Sequence, residues 1–251
     1  MRKALVIGLS FLSILSYAQD KNKEMSPKDT EIWDPIPPVV TTHKNNAAPS
    51  DAIVLFDGSD LNQWINAKNS NPAKWQINKD GSMTVVGKNK GGGSIKTKDN
   101  YGSIQLHLEW RSPELDKSRK GQQRGNSGVF IQGRYEVQVL DNNNNPTYSN
   151  GQVSSIYKQT IPLAKASVPT GQWNTYDIIY HAPEFNKDKS LKSAATITVL
   201  HNGILTIDHF ELLGPTKYIG IPEYSAHGDA PIMLQDHGSP VSYRNIWLRK
   251  L

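Results

Sequence analysis

Residues 125–141 read Gly-Asn-Ser-Gly-Val-Phe-Ile-Gln-Gly-Arg-Tyr-Glu-Val-Gln-Val-Leu-Asp, and this stretch predicts two consecutive β-strands. A short apolar run, 129–131, ends at Gly133, where the chain is expected to turn. In the strand that follows, apolar residues alternate with polar ones and share one face: Tyr135, Val137 and Val139. Glu136 and Gln138 share the opposite face and make it a candidate site, although an ordinary solvent-facing strand has the same pattern.

Two other segments repeat this arrangement of polar side chains on one strand face. Between residues 103 and 111, large polar residues alternate with apolar ones: Gln105, His107, Glu109 and Arg111. Between residues 232 and 237, Gln235 and His237 occupy equivalent alternating positions. In a sandwich with curved sheets such faces can converge on one cleft. We therefore expect the three polar faces to form one site, on condition that the strand register holds, because a one-residue slip reverses every side chain.

The rest of the chain reads as short strands separated by Gly, Asn and Pro turns, with little helical periodicity. The clearest hairpin joins residues 195–200 to 204–210 through Asn202-Gly203, a pair that accommodates positive φ at both turn positions. Residues 152–158 are expected to form a further strand or strand end. These patterns predict an all-β fold, a β-sandwich of two curved antiparallel sheets, with residues 51–251 as one domain.

Composition restricts the chemistry that is available to this protein. The 251 residues include no cysteine, which excludes a disulfide framework, a thiolate metal site and a cysteine nucleophile. The formal net charge is +5, and no basic cluster with interleaved aromatic residues accompanies it, so a nucleic-acid partner is not expected.

The first 50 residues predict an export signal followed by an extended segment. Residues 1–18 combine a basic start, an apolar stretch shorter than the roughly 20 residues that cross a bilayer, and small residues at the end. We interpret them as a cleavable signal peptide, which predicts a periplasmic or secreted protein without stable membrane insertion and without a lipid-carrying cysteine. Residues 19–50 are polar and rich in proline, which is typical of a tether or a surface strap.

Several ordered motifs resemble the 3-keto-disaccharide hydrolase domain family. They are Leu55-Phe56-Asp57-Gly58 with Leu61 and Trp64, Gly125-Asn126-Ser127-Gly128-Val129-Phe130, Tyr135-Glu136-Val137-Gln138-Val139-Leu140-Asp141, Trp173-Asn174-Thr175-Tyr176, and Leu234-Gln235-Asp236-His237-Gly238 with Tyr243-Arg244-Asn245-Ile246. The resemblance covers Ala52 to Leu251. It implies a jelly roll of the concanavalin A-like lectin/glucanase type. It also implies cleavage of the glycosidic bond of 3-keto-glycosides or 3-keto-disaccharides, in some members by elimination with help from a divalent metal.

The chemistry of an oxidised glycoside or disaccharide substrate gives roles to the polar residues. A ketone at C3 acidifies the C2 proton, so a base can remove it and the group at C1 can leave by β-elimination, with or without later hydration. The catalytic candidates, as base, acid or oxyanion stabiliser, are Glu109, Glu136, His237 and Lys158. The substrate-binding candidates are Arg111, Asn126, Gln138 and Gln235, and Arg111 is also a candidate oxyanion stabiliser. No ligand motif indicates a cofactor, and a divalent metal, if bound, would lie on His237 and Glu136.

Two functions of other classes stay open. A retaining endo-β-glucanase on the same fold would place two carboxylates about 5 Å apart, in a Glu-x-Asp-x-x-Glu pattern or a close relative of it. The strand here offers Glu136 and Asp141 but lacks the second glutamate. A non-catalytic, lectin-like carbohydrate-binding module would need amides and an exposed aromatic platform but no acid–base pair. In such a module, replacement of Glu109, Arg111 or His237 by a similar residue would change binding little.

Overall fold

The computed structural model describes residues 25–42 and 47–251, so the predicted signal peptide of residues 1–18 lies outside the described residues. The chain divides into two units, residues 1–39 and 40–251. In the first unit, the described residues contain one 3-10 turn, Pro27–Thr30, and no strand. No helix in the described parts of the chain is long and apolar enough to cross a membrane.

The second unit is an antiparallel β-sandwich of jelly-roll type, as the sequence predicts. The described strands are β1 (Ile53–Phe56), β2 (Trp64–Asn66), β3 (Gln76–Ile77), β4 (Met83–Thr84), β5 (Ile95–Thr97), β6 (Ile104–Arg111), β7 (Ser127–Ile131), β8 (Tyr135–Val139), β9 (Asn174–His181), β10 (Glu184–Phe185), β11 (Leu191–Ser193), β12 (Thr196–His201), β13 (Ile204–Glu211), β14 (Met233–Leu234) and β15 (Ser242–Lys250). The larger sheet has eight strands in the order β13-β12-β9-β6-β15-β4-β3, with β1 paired to β15. The smaller sheet has the order β2-β5-β14-β7-β8, and β10 and β11 form a separate ribbon.

The hydrophobic core lies between the two sheets and is supplied by alternate residues of their strands. In β6 the residues that point inward are fully buried: Ile104, Leu106, Leu108 and Trp110. In β8 the inward residues are equally buried: Tyr135, Val137 and Val139. The alternation in the sequence therefore assigned the faces of both strands correctly, because a half-apolar strand can bury only one face in a shared core.

Two of the local predictions have different outcomes. The β12–β13 hairpin turns at Asn202 and Gly203 with φ of 52° and 77°, which confirms the prediction. Residues 152–158, predicted as a strand or strand end, form turns instead, with a single bridge between Ile156 and Val137. Two residues of this segment have left-handed φ values, Ser154 with 62° and Lys158 with 60°, which is incompatible with a continuous strand.

Buried tyrosines connect the two sheets by hydrogen bonds through the core. The Tyr176 hydroxyl of β9 donates to the carbonyl oxygen of Gln138 in β8 at 2.7 Å. The Tyr243 hydroxyl of β15 donates to Oγ of Ser127 in β7 at 2.7 Å. Because a buried hydroxyl without a partner costs free energy, these bonds fix the β7–β8 hairpin against the larger sheet.

Candidate active site

The outer face of the β7–β8 hairpin forms the floor of the candidate site. Antiparallel register places Phe130 opposite Glu136 and Gly128 opposite Gln138. Glu136 and Gln138 point away from the core, yet only 5% and 1% of their surfaces are exposed. This face is therefore covered by other parts of the chain, unlike the face of an ordinary solvent-facing strand.

Two loop segments bind to the free edge of β8 and cause this burial. The backbone amide of Gln138 donates to the carbonyl oxygen of Ser155 at 3.0 Å. The backbone amide of Tyr157 donates to the carbonyl oxygen of Glu136 at 3.2 Å. The amide of Glu136 donates to Oγ1 of Thr216 at 3.0 Å. The edge strand thus gains hydrogen-bond partners, and its polar side chains end up in a recess.

The recess is a pocket of about 220 Å³, which we name the Glu136 pocket. Its lining residues are Asn126, Phe130, Glu136, Gln138, Tyr157, Thr216, Tyr218, Gln235 and His237. His237 also lines an adjoining cavity of about 750 Å³ between residues 84–90 and 236–240. The smaller pocket alone lies below the ~300–1,000 Å³ of typical small-molecule sites, so a ligand larger than the pocket would extend into the adjoining space.

Glu136 is a buried carboxyl group without compensating charge. The described residues form no hydrogen bond or ion pair with its carboxyl oxygens, and burial alone raises its pKa from 4.5 to about 8. Gly128 makes room for the group, because a Cβ at that position would overlap Oε1 of Glu136 and lie 3.0 Å from Cε2 of Phe130. A carboxyl group held in this way is protonated near neutral pH and can donate or accept a proton close to that range.

His237 reaches the pocket from the loop that follows β14. The loop is held by Asp236, whose carboxylate oxygens accept hydrogen bonds from the amides of Lys88 and Gly238, each at 2.9 Å. Arg119 donates to the carbonyl oxygen of Gly238 at 3.0 Å. His237 itself is exposed, so it can exchange protons with solvent while it borders the pocket.

The amide side chains of Gln138 and Gln235 supply hydrogen-bonding groups to the same pocket. In both, the side-chain oxygen is buried and has no hydrogen-bond partner within the described part of the chain. Asn126 donates through Nδ2 to the carbonyl oxygen of Gln122 at 2.7 Å. Buried amide oxygens without partners are rare in folded proteins, which makes them acceptors suited to a ligand with hydroxyl groups.

Lys158 lies beside the pocket and is not among the residues that line it. Its Nζ donates to the carbonyl oxygen of Tyr218 at 2.5 Å and lies 4.3 Å from the centre of the Tyr218 ring. Lys158 therefore holds the backbone and ring of Tyr218 at the rim of the pocket.

The expectation that all three polar faces converge is wrong for β6. Strand β6 belongs to the eight-stranded sheet and β8 to the five-stranded sheet, and both turn their apolar faces toward the shared core. Their polar faces therefore point in opposite directions. Glu109 binds Arg244 at 2.7 Å, and Arg111 binds Asp80 at 3.0 Å, both outside the Glu136 pocket. The polar residues of β8 and of the segment after β14 do line one pocket.

A family model confirms the resemblance that the motifs indicated. The model is described as a 3-keto-alpha-glucoside-1,2-lyase-like domain, and it matches residues 51–249. The chain belongs to the 3-keto-alpha-glucoside-1,2-lyase-like domain family. A carbohydrate-active enzyme of this family agrees with a pocket lined by amides, a carboxyl group and an imidazole. No curated protein matches the sequence.

Solved structures support the fold of this family member. A structure named "putative glycosyl hydrolase", from Parabacteroides distasonis ATCC 8503, shares 49% identity, covers 90% of this chain and 97% of its own, and has a TM-score of 0.84. Two others with the same name and organism share 20% and 23% identity, with TM-scores of 0.57 and 0.51. Each covers 80% of this chain and, respectively, 94% and 99% of its own. The latter two are similar in fold alone.

The divalent metal that the sequence resemblance implied does not fit this donor set. The two residues expected as ligands, His237 and Glu136, both line the pocket. Across residues 25–42 and 47–251, however, no group of three His, Cys, Asp or Glu side chains is placed to hold a metal ion. Protein metal centres of this type normally use three or more such ligands. His237 and Glu136 alone therefore do not complete a metal site of this kind.

Sequence patterns missed four residues of the pocket lining and one residue behind it. Phe130 lies on a strand that was predicted, but its exposure on the pocket side follows only from the pairing with β8. Tyr157, Thr216 and Tyr218 lie in loops without periodicity, and Gln122 lies in a 3-10 turn, Gly121–Gln123, within a charged stretch. No signal in the sequence relates these loops to the edge of β8.

Proposed function

We propose that this protein is an exported enzyme that cleaves the glycosidic bond of 3-keto-glycosides or 3-keto-disaccharides. The observation that carries the proposal is Glu136, a buried and unpaired carboxyl group in a pocket with His237 and three amide side chains. Membership of the 3-keto-alpha-glucoside-1,2-lyase-like family supports the choice of an oxidised sugar as the substrate.

The reaction begins at C2 of the sugar, next to the C3 ketone. A base takes the C2 proton, the C2–H electron pair forms the enolate, and the C1–O bond then breaks to leave a C1=C2 double bond. The departing oxygen takes a proton from an acid and leaves as an alcohol. Addition of water across C1=C2 would give the 3-keto sugar, so that the net reaction is hydrolysis. The protein must therefore supply a base, an acid and a hydrogen-bond donor for the enolate oxygen.

Glu136 and His237 are the acid–base pair in this proposal. Glu136 is suited to protonating the leaving oxygen because burial raises its pKa to about 8 and keeps the group neutral at pH 7. In that case the exposed imidazole of His237 is the base, and it takes the C2 proton in the first step. Tyr157 is a donor for the enolate oxygen, since burial raises the pKa of its phenol and keeps it protonated. Gln138, Gln235 and Asn126 bind sugar hydroxyl groups.

The retaining endo-β-glucanase is the second enzyme to consider, and the pocket argues against it. That mechanism uses two carboxylates about 5 Å apart. Of the described residues that line the Glu136 pocket, only Glu136 is an Asp or a Glu. A lectin-like module is also disfavoured, because a buried carboxyl group without a partner lowers stability, and binding without catalysis does not need a group with such a raised pKa.

The first experiment is to incubate the purified mature protein with a 3-keto-glucoside and, separately, with its unoxidised parent. The proposal expects cleavage of the keto sugar alone, with products identified by mass. Cleavage of the parent sugar would favour the glucanase, and binding of either sugar without cleavage would favour the lectin-like module.

The pH dependence of kcat/KM, which reports the pKa values of the free enzyme, assigns the direction of proton transfer. If Glu136 is the acid, kcat/KM falls as pH rises through about 8, because the group loses the proton that it must donate. If Glu136 is the base, kcat/KM rises through the same range. A profile without a limb near pH 8 would remove Glu136 from both roles.

We also propose that the protein acts in the periplasm or outside the cell, on the basis of residues 1–18. Expression of the full chain with cell fractionation tests this. Mature protein that begins near residue 19 in the periplasmic or extracellular fraction is expected, and full-length protein confined to the cytoplasm would contradict it.

A further inference from the structure

Gln122 does not line the Glu136 pocket, but it contacts Gln138, which does. It lies in the 3-10 turn Gly121–Gln123, between β6 and β7. Its side-chain Nε2 donates to the carbonyl oxygen of Gly151 at 2.7 Å and to Oγ1 of Thr147 at 3.0 Å. Its Oε1 accepts from Nε2 of Gln138 at 2.8 Å.

These contacts determine which way round both amides lie. A backbone carbonyl oxygen can only accept, so the atom of Gln122 that faces Gly151 must be the NH₂ group. The oxygen of Gln122 then faces Gln138, and Gln138 must present its own NH₂ group there. The orientation of the Gln138 amide therefore follows from a chain of hydrogen bonds that ends at the Gly151 backbone.

The consequence is an acceptor that cannot turn into a donor. Oε1 of Gln138 is buried, and nothing in the described residues donates a hydrogen bond to it. A buried acceptor without a donor costs free energy, which a ligand recovers only if it brings an N–H or O–H group. A ketone or ether oxygen at that point of the ligand would instead face another lone pair.

We propose that Gln122 is a positioning residue that makes the pocket select a sugar hydroxyl group at Gln138. The inference rests on the proposed function, in which the sugar occupies the Glu136 pocket. Gln122 acts through Gln138, which accepts the hydrogen bond from the hydroxyl. Removal of Gln122 frees the Gln138 amide to rotate, so that it accepts or donates without preference and the selection for a hydroxyl group is lost.

The test compares a 3-keto-glucoside with three analogues that each lack one hydroxyl group, at C2, C4 or C6. For the wild type, we expect at least one analogue to lose about 10- to 100-fold in kcat/KM, as for a substrate that leaves a buried acceptor unpaired. In Gln122→Met the loss for that analogue shrinks to about threefold or less, because the rotated amide no longer favours the hydroxyl. Gln138→Met removes the acceptor itself and should abolish the same discrimination.

Gln152→Met is the matched control. Gln152 is also a two-ended amide clamp, with Nε2 donating to the Thr147 carbonyl at 3.0 Å and Oε1 accepting from Asn142. It does not line the Glu136 pocket. We expect this variant to keep the wild-type discrimination, and circular dichroism and thermal melting identify any variant that does not fold.

The discrimination ratio separates positioning from general support of the fold. A folded Gln122→Met protein that discriminates as the wild type does would overturn the inference, and so would a wild type that treats all four sugars alike. Calorimetric binding of the same sugars keeps the two proposals apart. If the wild type binds the sugars with hydroxyl dependence but cleaves none, the proposed function fails and the inference stands or falls on Gln122→Met binding. If the wild type binds none of the sugars, both the proposed function and the inference about Gln122 are overturned.

Discussion

Glu136 and Glu109 both lie on the polar, outward faces of strands with the same alternating pattern, yet their surroundings differ. Glu109 receives hydrogen bonds from Nε of Arg244 at 2.7 Å and from Nδ2 of Asn245 at 3.0 Å. The carboxyl group of Glu136 receives none from the described residues, and burial raises its pKa to about 8. A carboxylate whose charge is already compensated supports the fold, whereas an uncompensated one remains available for proton transfer.

The surroundings of Glu109 form a satisfied polar network on the outer face of the eight-stranded sheet. We name the Glu109 network after its members: Glu109, Arg244, Asn245, His107 and Asp177. His107 contacts Asp177 through Nδ1 at 2.7 Å and Asn245 through Nε2 at 3.2 Å. Arg244 also lies 4.2 Å from the ring centre of Trp173. Each member contacts another protein group, so the network needs no ligand to complete it.

Replacing each glutamate by glutamine gives the largest expected contrast. Glu136→Gln keeps the shape of the side chain but removes the transferable proton, so kcat for the 3-keto-glucoside should fall about 10²- to 10⁴-fold. Glu109→Gln should retain kcat within about fivefold, because Glu109 lies outside the pocket. Steady-state kinetics of both purified variants measures the contrast. An equal loss of kcat in both variants would indicate that Glu109 also takes part in catalysis.

A methyl group at position 128 should disturb the pocket without changing any functional group. In Gly128→Ala the new Cβ would overlap Oε1 of Glu136, so the carboxyl group must move and kcat should fall about 10- to 100-fold. Gly228→Ala is the control, since a Cβ there meets no atom within 4 Å among the described residues. Wild-type kcat in folded Gly128→Ala would show that the position of the Glu136 carboxyl group is not critical.

The pH dependence of stability separates the two glutamates in a second way. Because the pKa of Glu136 rises from 4.5 to about 8 on folding, the unfolded chain loses this proton first. The free energy of unfolding therefore falls as pH rises from about 4.5 to 8, and the loss is complete above 8. Glu136→Gln removes the effect, so its stability relative to the wild type should rise from pH 5 to pH 8 by on the order of a few kcal/mol.

Urea denaturation at pH 5 and pH 8 checks this expectation. Glu109→Gln serves as the comparison, and it should lose about 1 kcal/mol because it weakens a partly buried ion pair with Arg244, in which the Glu109 side chain is 12% exposed and that of Arg244 36%. A relative stability of Glu136→Gln that does not change between the two pH values would contradict the burial of an uncompensated carboxyl group.

The smallest expected effect is that of a chelator. His237 and Glu136 are two potential ligands without a third among the described residues, so treatment with EDTA should leave kcat/KM within about twofold of the untreated enzyme. Activity of the treated sample with and without added Zn²⁺ or Mn²⁺ measures this. If EDTA lowers kcat/KM and added Zn²⁺ or Mn²⁺ restores it, the conclusion that the donor set does not fit a metal is wrong.

The two glutamates also show where prediction from sequence succeeds and where it ends. Alternation placed Glu109 and Glu136 on the correct faces of their strands, because each strand must bury its apolar side. It did not reveal that β6 and β8 lie in different sheets, since strand order depends on contacts between distant segments such as β6 with β15 and β9. The predicted convergence of all polar faces failed for that reason.

The residues that complete the pocket were missed for a related reason. Tyr157 and Thr216 cover the edge of β8 from loops that are distant in sequence or wrongly predicted as strand. Nothing in their local composition distinguishes a loop that seals a pocket from a loop in solvent. The unsatisfied oxygen of Gln138, which points most directly to a ligand, becomes visible only when every buried polar atom is compared with its neighbours.

The tyrosine hydroxyl groups that cross the core relate the pocket to the slowest motions of the protein. Tyr176 and Tyr243 attach β8 and β7 to the central strands of the larger sheet. Amide protons of the β7–β8 hairpin should therefore exchange with solvent deuterium only when the whole sandwich opens, at rates close to those of β6 and β9. The floor of the pocket would thus stay rigid on the timescale of turnover, and entry and release of ligands would depend on the loop around Tyr218.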